Sequence, residues 1–196
     1  VPAPPPQPPR LKRRRFLAVV VGVIALVLIA GAGTRFMLGK GSIADADWKE
    51  FAPEGEHCHI LMPGVPKPAA AAAHASSLRA GHKYAVVSEA DDVGFCLCAL
   101  ETAPEGITPA AFGDAYQVER DYLLRSVKGE RTAESDLMLD GHPGKEFLVR
   151  LTGGRGLIVR VYLGRERVYF LLAGGPRVQS DAGDAAKFFD SFHIDP

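Results

Sequence analysis

The sequence predicts an α+β fold, a largely antiparallel β-sheet packed with two helices, preceded by one transmembrane helix. Three observations lead there. An uncharged apolar run fills residues 16–34. Beyond it, short apolar segments alternate with Gly- and Pro-containing turn signals, the pattern of strands. Only two segments in that region carry helical spacing, and they are segregated rather than placed between every pair of strands.

Residues 1–15 read as a Pro-rich basic cytoplasmic tail. Six of the first ten residues are proline, and proline fixes φ and removes a donor, so the segment is expected to be an extended spacer. The chain opens on Val1 rather than Met, as a fragment or an alternative start codon would. Lys12-Arg13-Arg14-Arg15 then precedes the nineteen-residue run Phe16–Thr34. As a helix this run spans about 28 Å, close to the roughly 30 Å hydrocarbon core. It shows no polar face, unlike a soluble core helix. The lipid bilayer is therefore its expected partner. The basic flank puts the N-terminus in the cytoplasm and the C-terminal domain outside, at the cell membrane, as a single-pass protein. Ala30-Gly31-Ala32 also fits a signal-peptidase pattern, and Arg13-Arg14-Arg15-Phe16-Leu17 resembles a twin-arginine export signal. Both place the domain on the same far side.

Residues 35–47 read as a linker and 48–196 as one extracytoplasmic α+β domain. Its elements are expected in this order. His57 to Met62 is a strand stopped by Pro63-Gly64; Lys83 to Ser88 and Gly94 to Leu100 are two more. Pro66 to Ala73, poor in larger apolar residues, reads as an exposed loop. Thr108-Pro109 opens a helix, with Thr as cap and Pro where its missing N–H is harmless. Phe112, Tyr116, Leu123 and Val127 fall on one face of it, and Gly129 is its stop. An antiparallel meander follows. Arg131 to Leu139 and Lys145 to Leu151 are joined by an Asp140-Gly141 turn. After Gly153-Gly154-Arg155-Gly156, Leu157 to Leu163 and Val168 to Ala173 form a hairpin. Val159, Val161 and Leu163 are the expected core face of that hairpin's first strand, with Ile158, Arg160 and Tyr162 opposite. Gly174-Gly175-Pro176 breaks the sheet, and a last helix from about Asp181 to Phe189 buries Phe188 and Phe189.

Charge narrows the function classes. The chain is formally neutral, but residues 1–40 carry seven basic groups and no acid, which leaves 16 basic and 23 acidic groups, a net of −7, in residues 41–196. An acidic domain argues against nucleic acid as a partner. The absence of Asn excludes N-linked glycosylation.

The residues with the richest chemistry are His57-Cys58-His59 and Cys96-x-Cys98, since His and Cys are the donors zinc or copper selects. On strands, His57 and His59 would share one face, and Cys96 and Cys98 another. Three readings stay open: packed free thiols, a cross-strand disulfide from Cys58 to Cys96 or Cys98, and a metal site of His57, Cys58, His59, Cys96 and Cys98. No cofactor is implied. The chain has neither a G-x-S-x-G elbow nor an H-E-x-x-H helix, and no catalytic residue is assigned. Arg160, Arg165 and Arg167 cluster near one hairpin, where they would hold an anion or pair with neighbours such as Glu166. His142 and His193 read as turn and surface residues.

Several segments carry a resemblance. They are Trp48-x-x-Phe51, Ile60-Leu61-Met62-Pro63-Gly64-x-Pro66, Gly141-x-Pro143-Gly144-Lys145-Glu146, Arg160-Val161-Tyr162-Leu163 with Arg167-Val168-Tyr169, and Phe188-Phe189-Asp190-Ser191-Phe192. Together they resemble a group of uncharacterised bacterial membrane-anchored envelope domains with a Met-Pro-Gly-x-Pro strand and a closing Phe-x-Ser-Phe. By arrangement that group is similar to the PsbP-like superfamily, an antiparallel sheet flanked by helices. Cys58 stands where the group usually has an aromatic. The resemblance brings no catalytic residue. The expected function is a membrane-anchored, non-enzymatic domain that binds an envelope protein or a small ligand. A metal-binding envelope protein and an enzyme with a dispersed site are the alternatives.

Overall fold

A computed structural model describes residues 46–88, 91–103, 106–176 and 183–196. The tail, the apolar run 16–34 and most of the linker lie outside the described residues. Among the described residues no helix is long and apolar enough to cross a membrane.

The elements are β1 (Trp48–Phe51), β2 (Cys58–Pro63), β3 (Lys67–Ala71), β4 (Leu78–Ser88), β5 (Val93–Thr102), α1 (Pro109–Val127), β6 (Glu130–Leu139), β7 (His142–Arg150), β8 (Gly156–Leu163), β9 (Arg167–Gly175), α2 (Gly183–Asp190) and β10 (His193–Ile194). They form a seven-stranded sheet, ordered β3-β4-β5-β9-β8-β7-β6, and a three-stranded sheet, β1-β2-β10. Every pairing in both is antiparallel.

The large sheet is covered on both faces. Period-2 alternation sends Leu100, Phe147, Val149, Val159, Val161 and Val168 to one side, where Phe112, Ala115, Tyr116 and Leu123 of α1 close over them. It sends Phe95, Leu97, Ala99, Ile158, Tyr162, Tyr169 and Leu171 to the other. There Cys58, Ile60 and Met62 of β2, Phe188 and Phe189 of α2, and Phe192 complete a second core. The expectation of a single core face on β8 is thus corrected. Ile158 and Tyr162 are buried as fully as Val159 and Val161, because a second layer packs where solvent was expected.

Helix α1 starts as its sequence dictates. The Thr108 hydroxyl accepts from the Ala111 N–H at 3.2 Å, and Pro109 occupies the first turn. Its end differs from expectation. The left-handed residue is Lys128 (φ 51°), not Gly129. Gly129 is needed for room instead: a Cβ there would stand 2.4 Å from Val149 Cγ1. Asp140 (φ 49°) and Gly141 (φ 88°) both adopt positive φ, as a two-residue hairpin turn with the sheet's own twist requires.

Three expectations change. Residues 67–71 form edge strand β3 rather than a loop; Pro68 is tolerated there because an edge strand has one unpaired side. Gly174 and Gly175 continue β9, opposite Gly94 and Gly156, instead of breaking it. The short strands β1 and β10, which lack any alternating run, exist only as partners of β2.

Candidate functional site

The structure divides the five predicted metal-ligating residues. Cys58 lies in the core between β2, α2 and the large sheet. Cys98 packs on the opposite face of that sheet, under α1, and Cys96 shares its side by alternation along β5. A whole sheet therefore separates Cys58 from the other two thiols, and all three are free. Burial pushes the Cys58 and Cys96 thiols up to about 12, and the Cys98 thiol well above its usual value. Neutral thiols are poor metal ligands and poor nucleophiles. His57 has φ 52° and stands before β2 rather than in it, so it does not share a strand face with His59. Among the described residues, no three His, Cys, Asp or Glu side chains converge on a point that would hold a metal ion.

Sequence reasoning missed Glu56, whose carboxylate is 2% exposed and sits at the junction of the two sheets. The turn that carries it closes through Glu56 N–H to Pro53 O (3.1 Å). Its Oε1 lies 2.7 Å from His82 Nδ1 and accepts from the Tyr84 hydroxyl at 3.4 Å. Its Oε2 lies 3.1 Å from Arg167 Nε, an ion-pair distance without hydrogen-bond alignment. Arg167 Nη2 donates to Gly55 O (2.8 Å), and the Tyr169 hydroxyl donates to Glu56 O (2.7 Å). Burial, then the Glu56 charge, raises the Tyr84 phenol; burial likewise raises Tyr169. This network ties the 53–57 turn to β4 and β9. His82, 60% exposed, carries it to solvent.

A second buried carboxylate, Glu119 on α1, performs an analogous task on the other face. Its Oε1 accepts from the backbone N–H groups of His74 (2.5 Å) and Ala75 (2.8 Å), and Oε2 lies 2.7 Å from His74 Nδ1. The His74 ring stacks on Tyr122. The carboxylate thereby replaces the partners that the β3–β4 connection lacks.

The three arginines near the last hairpin do not form an anion site together. Arg160 pairs with Glu146 (2.8 Å) and Asp190 (3.5 Å) and lies over the Phe189 ring. Arg167 pairs with Glu56 and Glu101. Their carboxylate partners are these residues rather than Glu166. Arg165 is exposed in the turn between β8 and β9.

His59 does find an unforeseen partner. It lies directly opposite His193 across the β2–β10 pair, with ring centroids 4.9 Å apart and planes 26° from parallel. Asp195 Oδ1 is 3.0 Å from His59 Nδ1, and Asp140 Oδ2 is 3.7 Å from His193 Nδ1. Both imidazoles are partly exposed, at 36% and 50%.

No protein family model and no curated protein matches this chain. Solved structures do. The solution structure of cyanobacterial PsbP (CyanoP) from Synechocystis sp. PCC 6803 superposes with a TM-score of 0.54 at 15% identity, covering 83% of this chain and 98% of that one. A protein of unknown function, PA94 from Pseudomonas aeruginosa, covers 65% of this chain and 82% of its own at 15% identity, with a TM-score of 0.31, too loose a likeness to bear on the fold. The likeness to CyanoP is one of architecture: the chain has a distantly PsbP-like α+β fold.

Proposed function

We propose that this chain is a non-enzymatic domain, held on the far side of the cytoplasmic membrane by residues 16–34, that binds an envelope protein or a small ligand there. One observation carries the non-enzymatic reading. The buried ionisable groups are spent on holding elements together. Glu56 and Glu119 are 2% and 7% exposed, each with its oxygens turned to arginine, histidine or backbone N–H. A general acid or base must instead reach a substrate. The buried thiols are held protonated. The fold it shares with CyanoP is compatible with this reading. The tether rests on the uncharged apolar run and its basic flank.

The test is protease accessibility of the acidic domain in intact and permeabilised cells, followed by crosslinking and recovery of what it holds. Digestion only after permeabilisation of the inner membrane, or recovery of the chain in the soluble cytosolic fraction, would refute the placement. Turnover by the purified protein on a broad hydrolase and transferase panel, abolished by Glu56→Gln, would refute the non-enzymatic reading.

A further inference from the structure

We propose that His59 and His193 form a two-imidazole site for a borderline divalent cation, Cu(II) in preference to Zn(II), on the exposed side of the β2–β10 pair. The two residues are direct cross-strand partners, so their side chains leave the same face of the small sheet. Their rings already lie side by side, 4.9 Å between centroids. Two nitrogens at neighbouring positions of a tetragonal copper ion, at about 2.0 Å each, stand about 2.8 Å apart, a separation that rotation of these half-exposed rings has to supply.

The carboxylates supply the second part. A metal-bound histidine usually gives its other ring N–H to a carboxylate, which fixes the tautomer and raises the basicity of the ligating nitrogen. Here Asp195 faces Nδ1 of His59 at 3.0 Å, and Asp140 faces Nδ1 of His193 at 3.7 Å. Hydrogen on both Nδ1 atoms leaves both Nε2 lone pairs for a ligand. The arrangement arises from three separate pieces of chain: β2, the C-terminal strand with Asp195, and the Asp140-Gly141 turn. Two imidazoles are the protein's donors, and water fills the remaining positions. The chemistry of the pair selects copper, nickel or zinc over magnesium and calcium, and the usual order of divalent stabilities places copper first.

The test uses the full chain in detergent, stripped of metal with a chelator and titrated with Cu(II) and with Zn(II) against a competing chelating dye. The expected result is saturable binding of one equivalent, with copper tighter than zinc. Spin-echo spectra of the copper form should show the remote nitrogens of two imidazoles. His59→Gln and His193→Gln should each remove that equivalent and the two-imidazole signature while circular dichroism stays unchanged. Asp195→Asn, which keeps both ligands, should weaken binding about tenfold through loss of ring orientation. His82→Gln, an exposed histidine elsewhere, should leave binding intact. Absence of a saturable equivalent, survival of binding in either ligand variant, or a single-nitrogen spectrum overturns the proposal.

Discussion

Glu119 offers the sharpest test of how this fold is held. The carboxylate is 7% exposed, and its Oε1 serves the N–H groups of both His74 and Ala75. Glu119→Ala strands two amides in a loop that cannot turn them to strand partners. A stranded buried donor costs about 1–3 kcal/mol. Ala75 is buried, whereas His74 is an exposed residue whose hydrogen bond to Glu119 is part-buried. The expected loss is therefore about 2–4 kcal/mol, since the half-exposed amide recovers part of its hydration. At about 2–4 °C per kcal/mol for a domain of this size, the midpoint should fall by roughly 5–15 °C. Glu119→Gln keeps an oxygen for both amides and should lose about 1 kcal/mol or less. The assay is urea denaturation followed by circular dichroism and by fluorescence of Trp48, which packs against Phe95 in the other core and so reports cooperative loss of the whole domain. An alanine variant within about 0.5 kcal/mol of the parent would refute the reasoning. So would a glutamine variant as damaged as the alanine one, because charge rather than acceptance would then be responsible.

Further outcomes follow from other sites. Glu56→Leu leaves the Arg167 guanidinium, itself 17% exposed, without its buried partner and should lose about 3–5 kcal/mol, whereas Glu56→Leu combined with Arg167→Met should lose much less; denaturation of the parent, Glu56→Leu, Arg167→Met and the double variant measures the difference. Gly144→Ala would place a Cβ 2.5 Å from Tyr162 Cδ1 and 2.7 Å from Val161 O and should destabilise by about 1–3 kcal/mol, while Gly113→Ala, with open space inside α1, should stabilise by about 0.5–1 kcal/mol. Thermal melts would decide; equal shifts would undo the packing argument. The Cys58 and Cys96 thiols are raised from 9.0 to about 12 by burial. The unfolded thiols ionise first, so stability is full below pH 9 and should decline as pH rises from about 9 to 12. A pH series of urea midpoints should show this slope, and Cys58→Ala with Cys96→Ala should reduce it, leaving the part that Cys98, Tyr84 and Tyr169 contribute. An unchanged slope in that variant counts against the thiols as its source.

Local chemistry was readable where a residue and its partner are neighbours in the chain. Thr108-Pro109 announces α1 because cap and helix are adjacent. Asp140-Gly141 announces its hairpin because both positive φ angles fall on residues that tolerate them. Phe188 and Phe189 were correctly placed inside. What escaped reading depends on distant partners. Glu56 meets its histidine 26 residues away, and its carbonyl meets the Tyr169 hydroxyl 113 residues away. The proximity of Asp195 to His59 spans 136 residues. Alternation along β5 showed that Cys96 and Cys98 share a side, but not which side faces Cys58, since that depends on the layer β2 joins. Alanines 69–71 lack the apolar bulk that marks a strand, and β3 is specified by the free edge of β4 rather than by its own residues.

The strand order has a consequence for how the chain is assembled. β3, β4 and β5 are neighbours in sequence and in space, and so are β6, β7, β8 and β9; as strands, the two groups pair through β5 with β9. A growing chain that has produced β5 leaves one side of that strand bare until some seventy more residues have emerged. β2 waits longer still, for α2 and β10 to arrive. The large sheet is therefore completed only by β9, and the small one only by β10.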